Sequence, residues 1–253
     1  MSYRKDIDLE FLQYCNNEEL KNLFEVLTID PKDNIERITS TLKISDEYKM
    51  YGEDYHKYWE RIAEELQLFG GNTIFNIFRK GTGILYREIA LDVAKHIKAP
   101  INKNGSIENI EDAITMKLTL DLLGKMPEEQ IKEFFEEMDD NDIKQILTEY
   151  KDIPWKTSSV FIVRQIFKAG KFTSYKMTLK IVNLMWRKLF GRGLSFAANR
   201  TLTKTLGSVM GGPLSVVLNT WLIMDIAGPA MRVTVPSVLL ISCLRKEVKL
   251  RKY

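Results

Sequence analysis

Apolar side chains recur at intervals of three and four residues along nearly all of this chain, a spacing that lines one face of an α-helix and no face of a strand. Between Asp8 and Leu27 the set is Leu9, Phe11, Leu12, Cys15, Leu20, Leu23, Phe24 and Leu27, with Asn16 and Asn17 as a break and as the N-cap of a second short helix. Thr28 to Asn34 reads as a turn, and Ile35 to Leu42 as a third short helix. Tyr55, Trp59, Ile62, Ala63, Leu66 and Phe69 form one stripe of a longer helix over 54–69, which Gly70 and Gly71 stop as a left-handed cap. Asn72 or Thr73 then caps a short helix over 74–79, and a second break at Gly81 and Gly83 leads into a helix over 84–96. Further helices are expected at 107–124, 128–138, 141–150, 158–169 and 174–190. Val233 to Val235 is too short a β-type run to outweigh the rest. The fold class is therefore all-α, a multi-helix bundle with a glycine-rich apolar C-terminal helical segment. At 253 residues and 45% hydrophobic the chain can bury a real core, as one domain or two smaller ones.

Charge divides the chain more sharply than the net value of +3 suggests. Residues 1–155 hold 20 basic and 32 acidic side chains, whereas residues 156–253 hold 17 and 2. The division marks a small helical N-terminal region over 1–48, an acidic helical region over 49–155, and a basic, glycine-rich region over 156–253. Such asymmetry calls for an electrostatic partner for each part, and the simplest is an intramolecular acidic-basic contact. Between Lys156 and Lys204 stand eleven Lys and Arg with no Asp or Glu, followed by the twenty uncharged residues Thr205 to Met224.

A long cationic stretch beside an apolar one suits an anionic layer with hydrocarbon behind it, so an anionic membrane surface is the expected partner. The residues expected to meet it are Lys168, Lys171, Lys176, Lys180, Trp186, Arg187, Lys188, Arg192, Trp221, Arg245 and Lys246. Twenty residues match the length of a membrane-crossing helix. Insertion is finely balanced, because eight strongly apolar residues contribute on the order of −4 kcal/mol and the glycines, Pro213 and Asn219 cancel most of it. Residues 205–244 therefore either insert in a bilayer or form a glycine-rich hairpin buried in a helical core. Within them, Val233 to Leu244 is short for a span and fits a re-entrant, interfacial or buried helix, and Pro236 would bend or interrupt a span. Asp225 and Arg232 share a helical face if the helix is continuous through Pro229.

No residue pattern points to catalysis. Glu53 with His56, and Asp92 with His96, lack the further ligands of a helical di-metal site. Asp139 to Asp142 opens like a calcium loop without its glycine and reads as a helix junction with an N-cap. The glycines of 69–83 lack the phosphate-loop spacing, and Cys15 and Cys243 are expected as buried thiols. No cofactor is expected, and the chain is read as a non-enzyme. Nucleic acid is the weaker partner: Phe161, Phe167, Phe172, Tyr175 and Trp186 interleave with cations but stand mostly at core spacing. The start of the chain shows no secretion signal, so the expected place is the cytoplasm, peripheral to or partly inserted in the inner membrane.

Three stretches resemble the YaaW family of bacterial proteins: IDLEFLQYCNNEELKNLFEVLTID, IAEELQLFGGNTIFNIFRKGTGILYREIALDVAKHIK, and GGPLSVVLN followed by MRVTVPSVLLISCLRKE. The resemblance touches both ends and the centre and brings no catalytic residues. The family's body is loosely grouped with ubiquinol-cytochrome c chaperones, which implies an assembly factor with a membrane-protein client. From these readings the expected function is a non-enzymatic membrane-associated factor, an assembly chaperone in its finer form. The alternatives are a membrane-inserting, pore-forming effector held inactive by its acidic part, and a nucleic-acid-binding module. The sequence leaves the oligomeric state open.

Overall fold

Asn16 starts the first full helix. Its side chain accepts from the Glu19 amide at 3.0 Å while the Glu19 carboxylate accepts from the Asn16 amide at 2.8 Å, a reciprocal capping box that satisfies two amides the helix leaves unpaired. The helix, α1 (Asn17–Thr28), follows a 3-10 turn over Glu10–Tyr14, so the expected break at Asn16 stands. The computed structural model describes residues 3–31, 35–37, 40–71, 83–138, 140–195 and 230–251. The expected helix over 74–79, its caps, the Asp225–Arg232 pair, Trp221 and the apolar run over 205–224 lie wholly or partly outside the described residues.

After α1 come a two-residue antiparallel ladder, Ile29–Asp30 against Ile35–Glu36, then α2 (Asp46–Tyr51), a 3-10 turn over Tyr55–Tyr58 and α3 (Trp59–Gly71). The short helix expected over 35–42 is therefore corrected: none of its described residues is helical, and Ile35 and Glu36 pair with Asp30 and Ile29 just past the end of α1. Both are exposed, so no buried face imposes a helical period there. There follow α4 (Tyr86–His96), α5 (Ile107–Leu123), α6 (Glu128–Glu136), α7 (Asn141–Glu149), α8 (Trp155–Ala169), α9 (Lys171–Phe190) and α10 (Met231–Arg251). Ser45, Ser106 and Asp140 cap α2, α5 and α7 with their own side chains.

The N-terminus of α4 has no cap of its own and borrows one. Asp6 accepts from the Tyr86 amide at 2.6 Å and from Gln67 at 3.3 Å, and Gln67 exchanges hydrogen bonds with the Arg4 backbone. These contacts tie the first residues of the chain to α3 and α4. Gly70, expected as a left-handed cap, lies inside α3, and its missing side chain makes room for Ile89 of α4. The left-handed glycines among the described residues are Gly52, Gly170 and Gly191. Gly170, at φ 65°, turns the corner between α8 and α9.

The last helix is the axis of the bundle. Every residue of α10 from Val233 to Arg245 is buried, and α10 packs against α9, α1, α4, α5 and α3. A helix apolar on all sides belongs in a core, and this one is enclosed by elements from all three sequence regions. Pro236 sits within it, and the helix runs on through the proline. The β-type hint at Val233 to Val235 is helical. Among the described residues no helix is long and apolar enough to cross a membrane.

Candidate functional site

Placed in the fold, most of the cations expected at a membrane surface meet carboxylates from the acidic part of the chain. Lys176 of α9 pairs with Asp140 at 3.1 Å, and Lys180, one turn on, pairs with Glu137 at 2.9 Å. Lys180 is only 4% exposed, donates to the Phe134 carbonyl at 2.6 Å and lies over the Phe134 ring. Burial pushes its pKa down, and Glu137 opposes that shift. Arg192 pairs with Glu25 of α1. Trp186 is fully buried and packs on Phe190 with ring centroids 4.7 Å apart. Arg187 is half-buried and Lys188 exposed.

On α10, Arg245 faces inward. Its Nε donates to both Glu111 carboxylate oxygens at 3.2 and 3.0 Å, its Nη2 donates to the Asp8 carbonyl at 2.6 Å, and its guanidinium covers the Phe11 ring. The Tyr86 hydroxyl donates to the same carboxylate at 2.8 Å. Burial works against the arginine charge, and Glu111 overcomes it, so Arg245 stays a cation. Farther along, Lys246 pairs with Asp112 at 2.6 Å, Lys249 with Glu108 at 2.7 Å, and Arg251 with Glu19 at 2.9 Å. Thus Lys180, Trp186 and Arg245 belong to the interior, and Lys176, Lys246 and Arg192 to ion pairs that join the basic region to the acidic one.

Among the described residues of the basic region, α8 carries an open cationic face. Its inner face buries Ser158, Ser159, Ile162, Val163, Ile166 and Phe167. Phe161, Arg164 and Lys168, spaced by three and four, share the opposite side and are exposed. No ion pair reaches Arg164 or Lys168 among the described residues. Phe161 is 46% exposed and stacks on Tyr150. Just past the Gly170 corner Phe172 is 49% exposed, with Lys176 over its ring at 4.8 Å, and the Ile153 side chain stands out before the helix begins. Of the five aromatics that interleave with cations, Phe167, Tyr175 and Trp186 are buried while Phe161 and Phe172 are not. The sequence reading named Lys168 but neither phenylalanine as a membrane contact. For Phe161 the signal was an offset of one residue from the buried 162, 163, 166, 167 set.

These elements define an all-α protein whose acidic front closes over a basic back around one buried C-terminal helix. Residues 3–38 match a domain of unknown function, DUF3944. A UPF0174 protein of Helicobacter pylori strain J99 is 39% identical over 97% of this chain and 93% of its own length. A second, from strain 26695, is 39% identical over 81% and 96%. The UPF0174 protein YaaW of Escherichia coli K12 is 32% identical over 98% and 97%. The chain belongs to this family, UPF0174, the family of YaaW. No solved structure matches it.

Proposed function

We propose that this protein is a non-enzymatic factor that docks on an anionic membrane surface through the outer face of α8. The observation that carries this reading is the pairing of an exposed phenylalanine with uncompensated cations on one helix, Phe161 beside Arg164 and Lys168 of α8, with a second exposed phenylalanine, Phe172, across the corner at the start of α9. Amphipathic helices bind the headgroup boundary by that combination, each cation near the surface contributing about 1 kcal/mol and the apolar groups entering the acyl edge. Lys176, Lys180, Arg192, Arg245, Lys246, Lys249 and Arg251 serve instead to close the bundle, which is why the proposed docking surface is α8. Insertion of α10 is the costlier alternative, since it would strip Arg245 from Glu111 and remove the core of the fold. An assembly role would use the docked protein to present a client at the membrane.

Co-sedimentation of the full chain with vesicles tests the reading. Binding is expected to vesicles rich in phosphatidylglycerol and not to phosphatidylcholine alone, with a loss of about ten-fold or more in Arg164→Glu/Lys168→Glu. Equal binding to both vesicle types, or an unaffected double variant, would overturn it. A mobility shift with single-stranded RNA that anionic lipid does not compete away would instead favour the nucleic-acid reading.

A further inference from the structure

Glu19 and Glu247 meet at the junction of three helices. Glu19, in the first turn of α1, is 1% exposed and accepts three charge-stabilising contacts: the Asn16 amide at 2.8 Å and the Arg251 guanidinium on both oxygens at 2.9 Å. Glu247, one turn before Arg251 on α10, accepts from the Tyr175 hydroxyl of α9 at 3.1 Å and stands in hydrogen-bond contact with the Glu19 carboxyl. Two carboxyl groups in such contact hold a proton between them, because one must donate. Both Glu19 oxygens are already taken by donors from Arg251 and Asn16, which leaves Glu247 as the carboxyl that carries the proton.

We propose that this shared proton is a pH-responsive latch, clamping the C-terminal turns of α10 to the start of α1 and releasing them when it is lost. The groups facing Glu247 are Glu19 on α1, Cys15 just before it, Tyr175 on α9, and Arg251, Cys243 and Lys246 on α10. Burial pushes both thiols and the Tyr175 phenol up, so all three stay neutral well above neutrality. Lys246 is engaged with Asp112. Burial and then the Glu19 carboxylate raise Glu247 to about 7, leaving it the group of this set poised to change charge near neutral pH. Once it ionises, Arg251 alone faces two carboxylates. The folded pKa lies above that of an unfolded glutamate, so the latch is fully closed below about pH 4.5 and is lost as pH rises through about 7.

Two measurements on the full chain decide the matter. Amide exchange of residues 16–22 and 244–251, corrected for intrinsic rates, should show about ten-fold more frequent opening at about pH 8 than at about pH 6, a pH difference that Glu247→Gln abolishes while staying protected at both. In the unaltered protein a carboxyl carbon NMR titration should place Glu247 near neutrality. A Glu247→Gln variant that keeps the full pH dependence, or a Glu247 titration in the usual carboxylate range, would overturn the latch. If the variant fails to fold, the titration alone decides.

Discussion

Arg245 and Glu111, 134 residues apart in sequence, meet as a buried bidentate pair at the centre of the bundle. The pair links the buried C-terminal helix to the acidic region, and Tyr86, Phe11 and the Asp8 carbonyl complete its surroundings. Removing one partner strands a charge where water cannot reach it. Arg245→Met is therefore expected to cost about 3–5 kcal/mol in urea unfolding. Adding Glu111→Leu should recover part of that loss, since the stranded carboxylate goes too; the Tyr86 hydroxyl, left with the Val238 carbonyl at 3.4 Å, limits the recovery.

Lys180 makes a useful contrast. It is as buried as Arg245, but its partner Glu137 is about a quarter exposed and remains hydrated when the ammonium is removed. Burial already disfavours the lysine charge, so Lys180→Met keeps the packed stem and gives up a charge that was costly to hold. The expected loss is about 1–2 kcal/mol, mostly from the Phe134 carbonyl losing its donor. Lys180→Ala should cost more by leaving a cavity. Comparing the two in urea unfolding separates packing from charge.

Local signals in the sequence located elements well, and contacts made across the fold did not show in it. Asn16, Asp140 and the apolar spacing of α5 to α7 announce their helices because caps and periodicity act within a few residues. The direction of a cation is another matter. Lys180 and Arg245 look outward-facing in a stretch poor in acids, yet each finds a carboxylate from a distant helix. Ile35 and Glu36 carry no local mark of their pairing with Ile29 and Asp30, which rests on backbone hydrogen bonds and leaves Ile35 and Glu36 exposed. Phe161 and Phe172 emerge as surface residues only once the inner faces of α8 and α9 are known.

Gly70 shows how a residue with an apparent local role can have a distant cause. A β-carbon there would lie 2.6 Å from Ile89 Cδ1, so the close approach of α3 and α4 depends on its absence. Gly70→Ala is expected to lower stability by about 1–3 kcal/mol even though alanine is the better helix former. Ile89→Ala should relieve the clash when combined with it, and thermal melts of the single and double variants will show a loss in the double smaller than the sum of the two singles. A strictly additive loss would mean that the two helices do not meet there.

The two exposed phenylalanines allow the apolar part of membrane docking to be separated from the electrostatic part. Charge attraction weakens as salt rises, because counterions screen exposed groups over about 8 Å at physiological ionic strength. Burial of an aromatic ring in the acyl edge does not share that dependence. Phe161→Ser/Phe172→Ser should therefore weaken binding to phosphatidylglycerol vesicles at every salt concentration and steepen the relative decline with salt, since only the cations remain to hold the helix. Arg164→Glu/Lys168→Glu should do the reverse, leaving weak binding that salt barely alters. Phe161, Arg164 and Lys168 are exposed on α8 and Phe172 is exposed at the start of α9, so urea midpoints should stay close to the parent's and any loss of binding reports the surface itself. If the phenylalanine variant binds as the parent does at every salt concentration, α8 holds the membrane by charge alone and the rings serve another contact.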